Sequence, residues 1–174
     1  NVVASPDNNI TANELIPNNQ INAFRADYND ISINNNEITI SCFLKDNGQK
    51  YAGLLSIFKD SNGNFISSLE LSYNLKNNQL IILGNNGDVI NISSKIIQYS
   101  NGFKRVSLSY KIENVNIEMI GASILLTDID GNNNFQGDTT KTIYFWGLQL
   151  EESKETTSYI PTNGSTVTRN QDIL

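Results

Sequence analysis

The sequence contains no histidine, and Cys42 is its only cysteine. Without an imidazole group there is no Ser-His-Asp triad, no Cys-His pair and no histidine metal site. A single cysteine forms neither an intrachain disulfide nor a thiolate zinc site. Carboxylates, lysines and tyrosines are the groups left for catalysis, so most enzyme mechanisms are excluded.

Basic residues and long apolar runs are also scarce. The chain has 12 Lys+Arg against 18 Asp+Glu, a net charge of −6. Phosphate recognition needs a surplus of basic residues, so we expect no nucleic-acid partner. No run approaches the roughly 18 apolar residues of a spanning helix, so we expect no membrane insertion. Since the chain begins with Asn1, we expect a processed product or a module of a longer protein.

Alternation of apolar and polar residues, the period of a β-strand, recurs from Glu37 to Glu151. In the first of these runs Ile38, Ile40 and Leu44 fall on one face together with Cys42. The predicted strands are 37–45, 51–58, 65–73, 80–83, 88–92, 95–99, 103–110, 115–126 (one strand, or two with a bulge near Gly121) and 142–151. Asn-Gly pairs at 47–48, 62–63, 86–87 and 101–102 predict hairpin turns, because both residue types tolerate positive φ.

Eight to ten antiparallel strands predict an all-β fold, an antiparallel two-sheet β-sandwich, and the strand number favours a jelly roll. A chain of 174 residues suits one domain. We place the sandwich at residues 1–161, with residues 1–20 as a weakly patterned lead-in. Residues 162–174 are predicted to be an exposed C-terminal tail or a connector to another module.

Several stretches of the sequence resemble one known domain, the carbohydrate-binding-module-like jelly roll of bacteriophage tail fibres, tailspikes and prophage-encoded surface proteins. The end of that domain is similar to Ile143-Tyr-Phe-Trp-Gly-Leu-Gln-Leu-Glu-Glu152, Thr157-Ser-Tyr-Ile-Pro-Thr162 and Gly164-Ser-Thr-Val-Thr-Arg169. Upstream parts of it are similar to Phe43-Leu-Lys45, Ser100-Asn-Gly-Phe-Lys-Arg-Val106 and Leu126-Thr-Asp-Ile-Asp-Gly131 through Phe135-Gln-Gly-Asp138. One departure is Phe103, which stands where the family usually has tryptophan.

The resemblance implies a non-catalytic module of a phage tail fibre or tailspike that binds the host receptor, a bacterial surface polysaccharide or oligosaccharide. It also implies attachment to the rest of a larger virion protein, a homotrimer, and an extracellular location on the phage tail. A secreted bacterial protein is the alternative location. Two other functions stay open: a structural trimerisation or capping domain without a ligand, and a polysaccharide hydrolase or lyase.

Sugar binding requires an aromatic face for the apolar side of the ring and planar polar groups for its hydroxyls. In the last predicted strand, alternation places Tyr144 and Trp146 on one face with Leu148 and Leu150, which favours a core position for Trp146. Gln149 falls on the opposite face. The predicted ligand-binding residues are Tyr51, Tyr73, Tyr99, Phe103, Tyr144 and Gln149.

A second group of candidates surrounds Gly131. Asp128, Asp130 and Asn132, with Asp138 beyond them, resemble the start of a calcium loop, in which oxygen ligands alternate. Thr139 stands where an EF-hand has its glutamate. The other interpretation is an Asp/Asn/Gly-rich hairpin loop that needs no metal. No cofactor is required, and structural calcium is the one candidate.

An enzyme would need two carboxylates facing one groove, as in glycoside hydrolysis. Glu70 and Glu118 each stand between apolar residues of a predicted strand. Alternating strands place charges outward routinely, so we favour a chain without catalytic residues.

Overall fold

The computed structural model describes residues 3–84, 87–99, 101–162 and 167. Within these ranges the chain forms twelve β-strands and no helix. The strands are β1 (Asn13–Leu15), β2 (Ile21–Ala23), β3 (Arg25–Ser32), β4 (Glu37–Asn47), β5 (Tyr51–Lys59), β6 (Phe65–Asn74), β7 (Leu80–Leu83), β8 (Val89–Gln98), β9 (Lys104–Ile112), β10 (Met119–Leu126), β11 (Asn134–Gln136) and β12 (Thr142–Glu151). Accordingly, no helix in this described part is long and apolar enough to cross a membrane.

Ten of the strands form two five-stranded sheets, and β2 and β11 form a short ribbon. The first sheet has the order β1-β12-β4-β9-β8 and the second β3-β10-β5-β6-β7. All these pairings are antiparallel. The predicted all-β sandwich is confirmed. The jelly roll stays a prediction, supported by late strands that lie between early ones, such as β12 between β1 and β4.

The main core lies between the two sheets and follows the period of two. From β4, the side chains of Ile38, Ile40 and Leu44 are fully buried with Cys42, as predicted. The second sheet contributes, among others, Leu54, Leu69, Leu71 and Ile124. Each such side chain contributes about 1.5–3 kcal/mol when it leaves water.

Most of the predicted strands are confirmed, with shifted ends. The two segments 88–92 and 95–99 form the single strand β8, in which the register against β9 shifts between Ile90 and Ser93. Strand β10 begins only at Met119. The bulge predicted near Gly121 is confirmed by a shift in the register of β10 against β3.

The Asn-Gly pairs divide into two groups. Asn62-Gly63 joins β5 to β6 and Asn101-Gly102 joins β8 to β9, and both pairs of strands are hairpins. Asn47-Gly48 instead links β4 to β5, which belong to different sheets, so the hairpin prediction is wrong there. Asn86 lies outside the described residues.

Four strands arise where the sequence predicted none: β1, β2, β3 and β11. Within the lead-in, β1 pairs with β12. The polar strand β3 forms one edge of the second sheet. Of the predicted tail 162–174, only Thr162 and Val167 are among the described residues.

Candidate functional site

A cleft of about 190 Å³ opens on the outer face of the second sheet. It lies where β5 begins, β6 ends and β7 begins. Its lining consists of one aromatic ring, two aliphatic side chains and several amides and a hydroxyl: Tyr51, Ile81, Ile129, Asn74, Asn77, Gln79 and Ser72. Tyr51, which is half-buried, is the predicted ligand-binding residue that the structure places here.

Strand pairing produces the floor of this cleft. Tyr51 of β5 pairs with Asn74 of β6, and Ser72 of β6 pairs with Ile81 of β7. Successive side chains in a strand point to opposite faces of the sheet. Since Leu71 enters the main core, the side chains of Ser72 and Asn74 point to the outer face.

The turn after β6 supplies the polar rim. Asn74 accepts, through Oδ1, the backbone N–H groups of Lys76 at 2.9 Å and Asn77 at 3.3 Å. Asn77 Oδ1 in turn accepts the backbone N–H of Gln79 at 3.1 Å. The side-chain oxygens of Asn74 and Asn77 are both held by these bonds. The side-chain NH₂ groups of the two residues therefore remain as donors for a ligand.

Residues 127–133, which we call the covering loop, fold back over the second sheet. The hydroxyl oxygens of Thr127 and Ser72 lie 2.6 Å apart. Gly131 lies so close to the sheet that a Cβ there would be 3.0 Å from Leu83 Cδ1 and 3.4 Å from Ser72 Cβ. Ile129 lines the cleft and stays 66% exposed. The loop thus forms one wall of the cleft and narrows its inner end.

Glu70 lies beyond this narrow end, two residues from Ser72 on the same face. Its side chain is only 8% exposed. Oε2 accepts a 2.9 Å hydrogen bond from Asn133 Nδ2 of the covering loop, whereas Oε1 has no hydrogen-bond partner among the described residues. Burial raises the pKa of Glu70, and the bond from Asn133 offsets only part of this effect.

The structure places four other predicted ligand-binding residues on the outer face of the first sheet. Tyr99, Phe103 and Tyr144 belong to a second hydrophobic cluster, which we call the aromatic cluster; its members are Val3, Ala12, Phe43, Tyr99, Phe103, Tyr144, Trp146 and Tyr159. Gln149 lies beside it and accepts the backbone N–H of Ile160 through Oε1 at 2.9 Å.

Several rings of the aromatic cluster pack against each other at steep angles. The ring of Phe43 meets those of Tyr99 and Tyr159 at 72° and 89°. Phe103 is fully buried, so its ring offers no face to a sugar, which corrects the prediction for this residue. Phe103 therefore has a packing role.

Tyr73 requires the same correction. Its ring is fully buried because it shares the core-facing side of β6 with Leu69 and Leu71. Its hydroxyl donates to Asn78 Oδ1 at 2.6 Å, and burial raises the pKa of the phenol to about 12. Tyr73 supports the turn that forms the cleft rim but does not line the cleft.

A bulge at Gly147 changes the faces of β12. The register against β4 shifts here, and the φ of Gly147 is +60°. Before the bulge, odd-numbered residues such as Phe145 face the main core; after it, even-numbered residues such as Leu148 do. The prediction that Tyr144 and Trp146 share a face with Leu148 is therefore wrong.

The C-terminal segment 152–162 is bound across the first sheet by a buried arginine. Arg105, 4% exposed, donates to the backbone oxygen of Thr157 at 2.5 Å and to Ser41 Oγ at 2.9 Å. Its guanidinium carbon lies 5.2 Å from the centre of the Phe43 ring. Phe43, Arg105 and Thr157 belong to three of the stretches that carry the family resemblance, and on this face they contact one another.

The predicted calcium loop forms a hydrogen-bonded turn. Asp128 Oδ1 accepts the backbone N–H groups of Asp130 at 2.9 Å and Asn132 at 2.8 Å, and Oδ2 accepts Asn132 Nδ2 at 2.9 Å. Burial raises the pKa of Asp128, but these hydrogen bonds outweigh it and lower the pKa overall.

A second loop, 60–64, has the same structure. Asp60 Oδ1 accepts the N–H groups of Asn62 and Asn64 at 2.9 and 2.8 Å, and Oδ2 accepts Asn64 Nδ2 at 2.9 Å. Gly63 and Gly131 occupy equivalent positions with φ of +83° and +87°. The turn thus follows from the pattern Asp-x-(Asn/Asp)-Gly-Asn, and the loop's own donors occupy its carboxylate.

Asp138 is also satisfied locally. It accepts the backbone N–H of Thr140 at 3.0 Å and its hydroxyl at 2.6 Å, and pairs with Lys141 at 3.0 Å, which lowers the pKa of Asp138 to about 2. Among the described residues, no three carboxylate, cysteine or histidine side chains form a group that could hold a metal ion. The hydrogen bonds of Asp128 and Asp138 favour the interpretation of this segment as a turn that needs no metal, and structural calcium stays a prediction.

The two glutamates considered for hydrolysis lie in different places. Glu118, predicted to lie within a strand, precedes β10 and is exposed. It lines a separate open cleft of about 410 Å³ between the β3–β4 and β9–β10 connections. The structure therefore does not bring Glu70 and Glu118 together in one groove.

A scan of models of known protein families finds no match to this chain, and neither does a search of curated proteins. The function is therefore argued from the geometry of the site and from the sequence resemblance.

Proposed function

We propose that the chain is a non-catalytic carbohydrate-binding module that binds part of a bacterial surface glycan in the Tyr51 cleft. The observation that carries this proposal is the composition of the cleft: a half-buried tyrosine, two isoleucines, and amide and hydroxyl groups line one concave surface. A pyranose ring presents apolar C–H groups on its faces and hydroxyls around its edge. Aromatic and aliphatic side chains match the faces, and amides match the hydroxyls.

The small size of the cleft indicates weak binding. About 190 Å³ is less than the roughly 300–1,000 Å³ of sites that enclose drug-sized ligands. Such a site holds about one sugar residue, and we expect a millimolar dissociation constant. Several copies that engage one polymer together raise the overall affinity by about 10²–10⁴.

The biological setting of the proposal comes from the resemblance of the sequence. A homotrimeric tail fibre or tailspike would supply three copies of the cleft and present them outside the virion. The jelly roll is part of the same proposal, and the order of strands in the two sheets is consistent with it.

The test is titration of the chain with neutral oligosaccharides from bacterial surface polysaccharides, followed by NMR chemical shifts. We expect shifts at residues 72–81 and 127–133, and at least tenfold weaker binding for Tyr51→Ala, since the stacking partner is lost. Tyr28→Ala is the matched control, because Tyr28 is 45% exposed on β3, at the opposite edge of the same sheet. Shifts centred on the aromatic cluster, or equal losses in both variants, would contradict the proposal.

A further inference from the structure

The floor of the Tyr51 cleft continues beneath the covering loop to Glu70. Ser72, which lines the cleft, and Glu70 are two residues apart on one face of β6, a distance of about 7 Å along a strand. Ile81 pairs with Ser72, and Leu83 pairs with Glu70. Gly131 of the covering loop lies above the part of the sheet between Ser72 and Glu70, close to Ser72 and Leu83. A ligand in the cleft therefore lies one sugar ring away from Glu70.

Glu70 lies on the outer face of the second sheet, where two leucine side chains are also buried. Leu55 and Leu125, on the outer face of the second sheet, are 6% and 1% exposed. Neither residue belongs to the main core or to the aromatic cluster. Glu70 thus lies in a low-dielectric layer between the sheet and the covering loop, where hydrogen bonds and charges act strongly.

Among the described residues, the strand neighbours and the hydrogen-bond partner of Glu70 carry no positive charge. Its neighbours across the strand pairs are Leu55 of β5 and Leu83 of β7. The covering loop contributes the neutral amide of Asn133. A desolvated carboxylate with a single neutral donor destabilises the folded state unless a ligand supplies the missing partner. Such groups are concentrated in functional sites.

We infer that Glu70 forms an inner subsite for a positively charged amino group, so that the glycan bound in the Tyr51 cleft is one with free amines. This inference rests on the proposed function and specifies its ligand class. An ammonium group donates a charge-assisted hydrogen bond to Oε1 while Asn133 keeps its bond to Oε2. An N-acetylated sugar carries no charge at this nitrogen and so cannot donate a charge-assisted hydrogen bond to Oε1.

Access to Glu70 requires movement of the covering loop, because Oε1 is buried. The loop's described hydrogen bonds to the rest of the chain lie at its two ends: Thr127 bonds to Ser72, Tyr51 and Gln49, and Asn133 bonds to Glu70. Between these ends Gly131 approaches the sheet. A ligand that binds the opened loop better than the closed one shifts the population toward the open form.

The experiment compares an oligomer of glucosamine with its N-acetylated counterpart of equal length, by calorimetry at a pH below the pKa of the sugar amine, so that the amine carries its positive charge. We expect the wild-type chain to bind the amine form about tenfold more tightly. Glu70→Gln keeps the shape and an acceptor for Asn133, so it should bind both oligomers alike. Glu118→Gln removes the same charge from an exposed glutamate in the separate cleft and should keep the preference.

The outcomes separate this inference from the proposed function. If neither oligomer nor any neutral oligosaccharide binds the wild-type chain, the proposed function fails, and the inference fails with it. If both oligomers bind equally and Glu70→Gln changes nothing, the inference alone is overturned. A preference for the amine that Glu118→Gln also removes would overturn it too, because net charge would then be the cause. Melting curves of both variants verify that they are folded.

Discussion

Gly147 lies beneath the ring of Tyr159: a Cβ atom at this glycine would lie 3.0 Å from Tyr159 Cε2 and 3.2 Å from Phe43 Cδ2. The glycine also forms the bulge of β12, with φ of +60°. The ring centroid of the adjacent residue, Trp146, lies 4.4 Å from that of Tyr159. The absence of a side chain at 147 therefore allows the C-terminal segment to pack on the first sheet.

Gly147→Ala should destabilise the chain by about 2–4 kcal/mol. A positive φ costs an alanine about 1–2 kcal/mol, and the contacts with Tyr159 and Phe43 add to this cost. Gly63→Ala is the control, because Gly63 has φ of +83° but nothing lies within 4 Å of its Cβ position. Denaturant midpoints measure both losses of free energy of unfolding. Equal losses would mean that the close approach of Tyr159 has no energetic effect.

Arg105→Lys should loosen segment 152–162. A lysine donates from one nitrogen and cannot reach both Thr157 and Ser41 as the guanidinium does, so a loss of about 1.5–3 kcal/mol is expected. Limited proteolysis should then cleave this segment faster than in the wild-type chain. Arg25→Lys is the matched control, since the side chain of Arg25 is 45% exposed and pairs with Asp27 at the surface. An unchanged cleavage rate in Arg105→Lys would show that the other contacts of the segment, such as the Gln149–Ile160 bond, hold it without the guanidinium.

Glu70→Gln should stabilise the chain at neutral pH and not in acid. Because burial raises the pKa of Glu70, the folded state binds a proton more tightly than the unfolded state. Stability therefore falls as pH rises from the ordinary glutamate pKa, about 4.3, through the raised folded value. Glutamine lacks this cost, so the melting temperature of the variant should exceed that of the wild type at pH 7.

Melting temperatures of the two proteins at several pH values check this prediction. The difference between them should shrink toward zero below about pH 4, where the carboxyl is protonated in both states. Contributions of the other carboxylates cancel in this difference. A gap that does not change with pH would show that Glu70 is not the titrating group.

Calcium should leave the melting temperature unchanged, because donors of the loop itself occupy both oxygens of Asp128. Asp128→Ala and Asp60→Ala should each cost about 1–2 kcal/mol, since each removes the acceptor of the same turn. Calorimetric scans with calcium and with EDTA measure the first point. A calcium-dependent rise in melting temperature that Asp128→Ala abolishes would restore the metal hypothesis.

The strands of the sandwich could be predicted where one face is buried and the other polar. In β4 this pattern identified the core-facing residues correctly. Strand β3 has the sequence Arg-Ala-Asp-Tyr-Asn-Asp-Ile-Ser and lies at a sheet edge. An edge strand pairs with one neighbour only and can form with few buried side chains. Its formation depends on pairing with β10, which no local pattern reports.

The site was only partly predictable, for two physical reasons. Tyr51 was among the predicted residues because a phenol can be half exposed, and the structure places it in the cleft. The face predicted for Trp146 was wrong because a bulge adds one residue to the alternation of the strand. A glycine in a strand indicates a bulge without proving it. The covering loop, and with it the burial of Glu70, depends on contacts between residues more than fifty positions apart. Tyr73, in contrast, could have been assigned to the core from its spacing with Leu69 and Leu71.

The two terminal segments of the sandwich are held on the first sheet by residues four positions apart. Asn101 donates through Nδ2 to the backbone oxygen of Ser5 at 3.1 Å, and Arg105 holds Thr157. A pulling force applied through both segments therefore loads these side chains before it reaches the strand ladders. The domain should yield to tension in two steps: the ends peel away at low force, and the sheets then separate at a higher one.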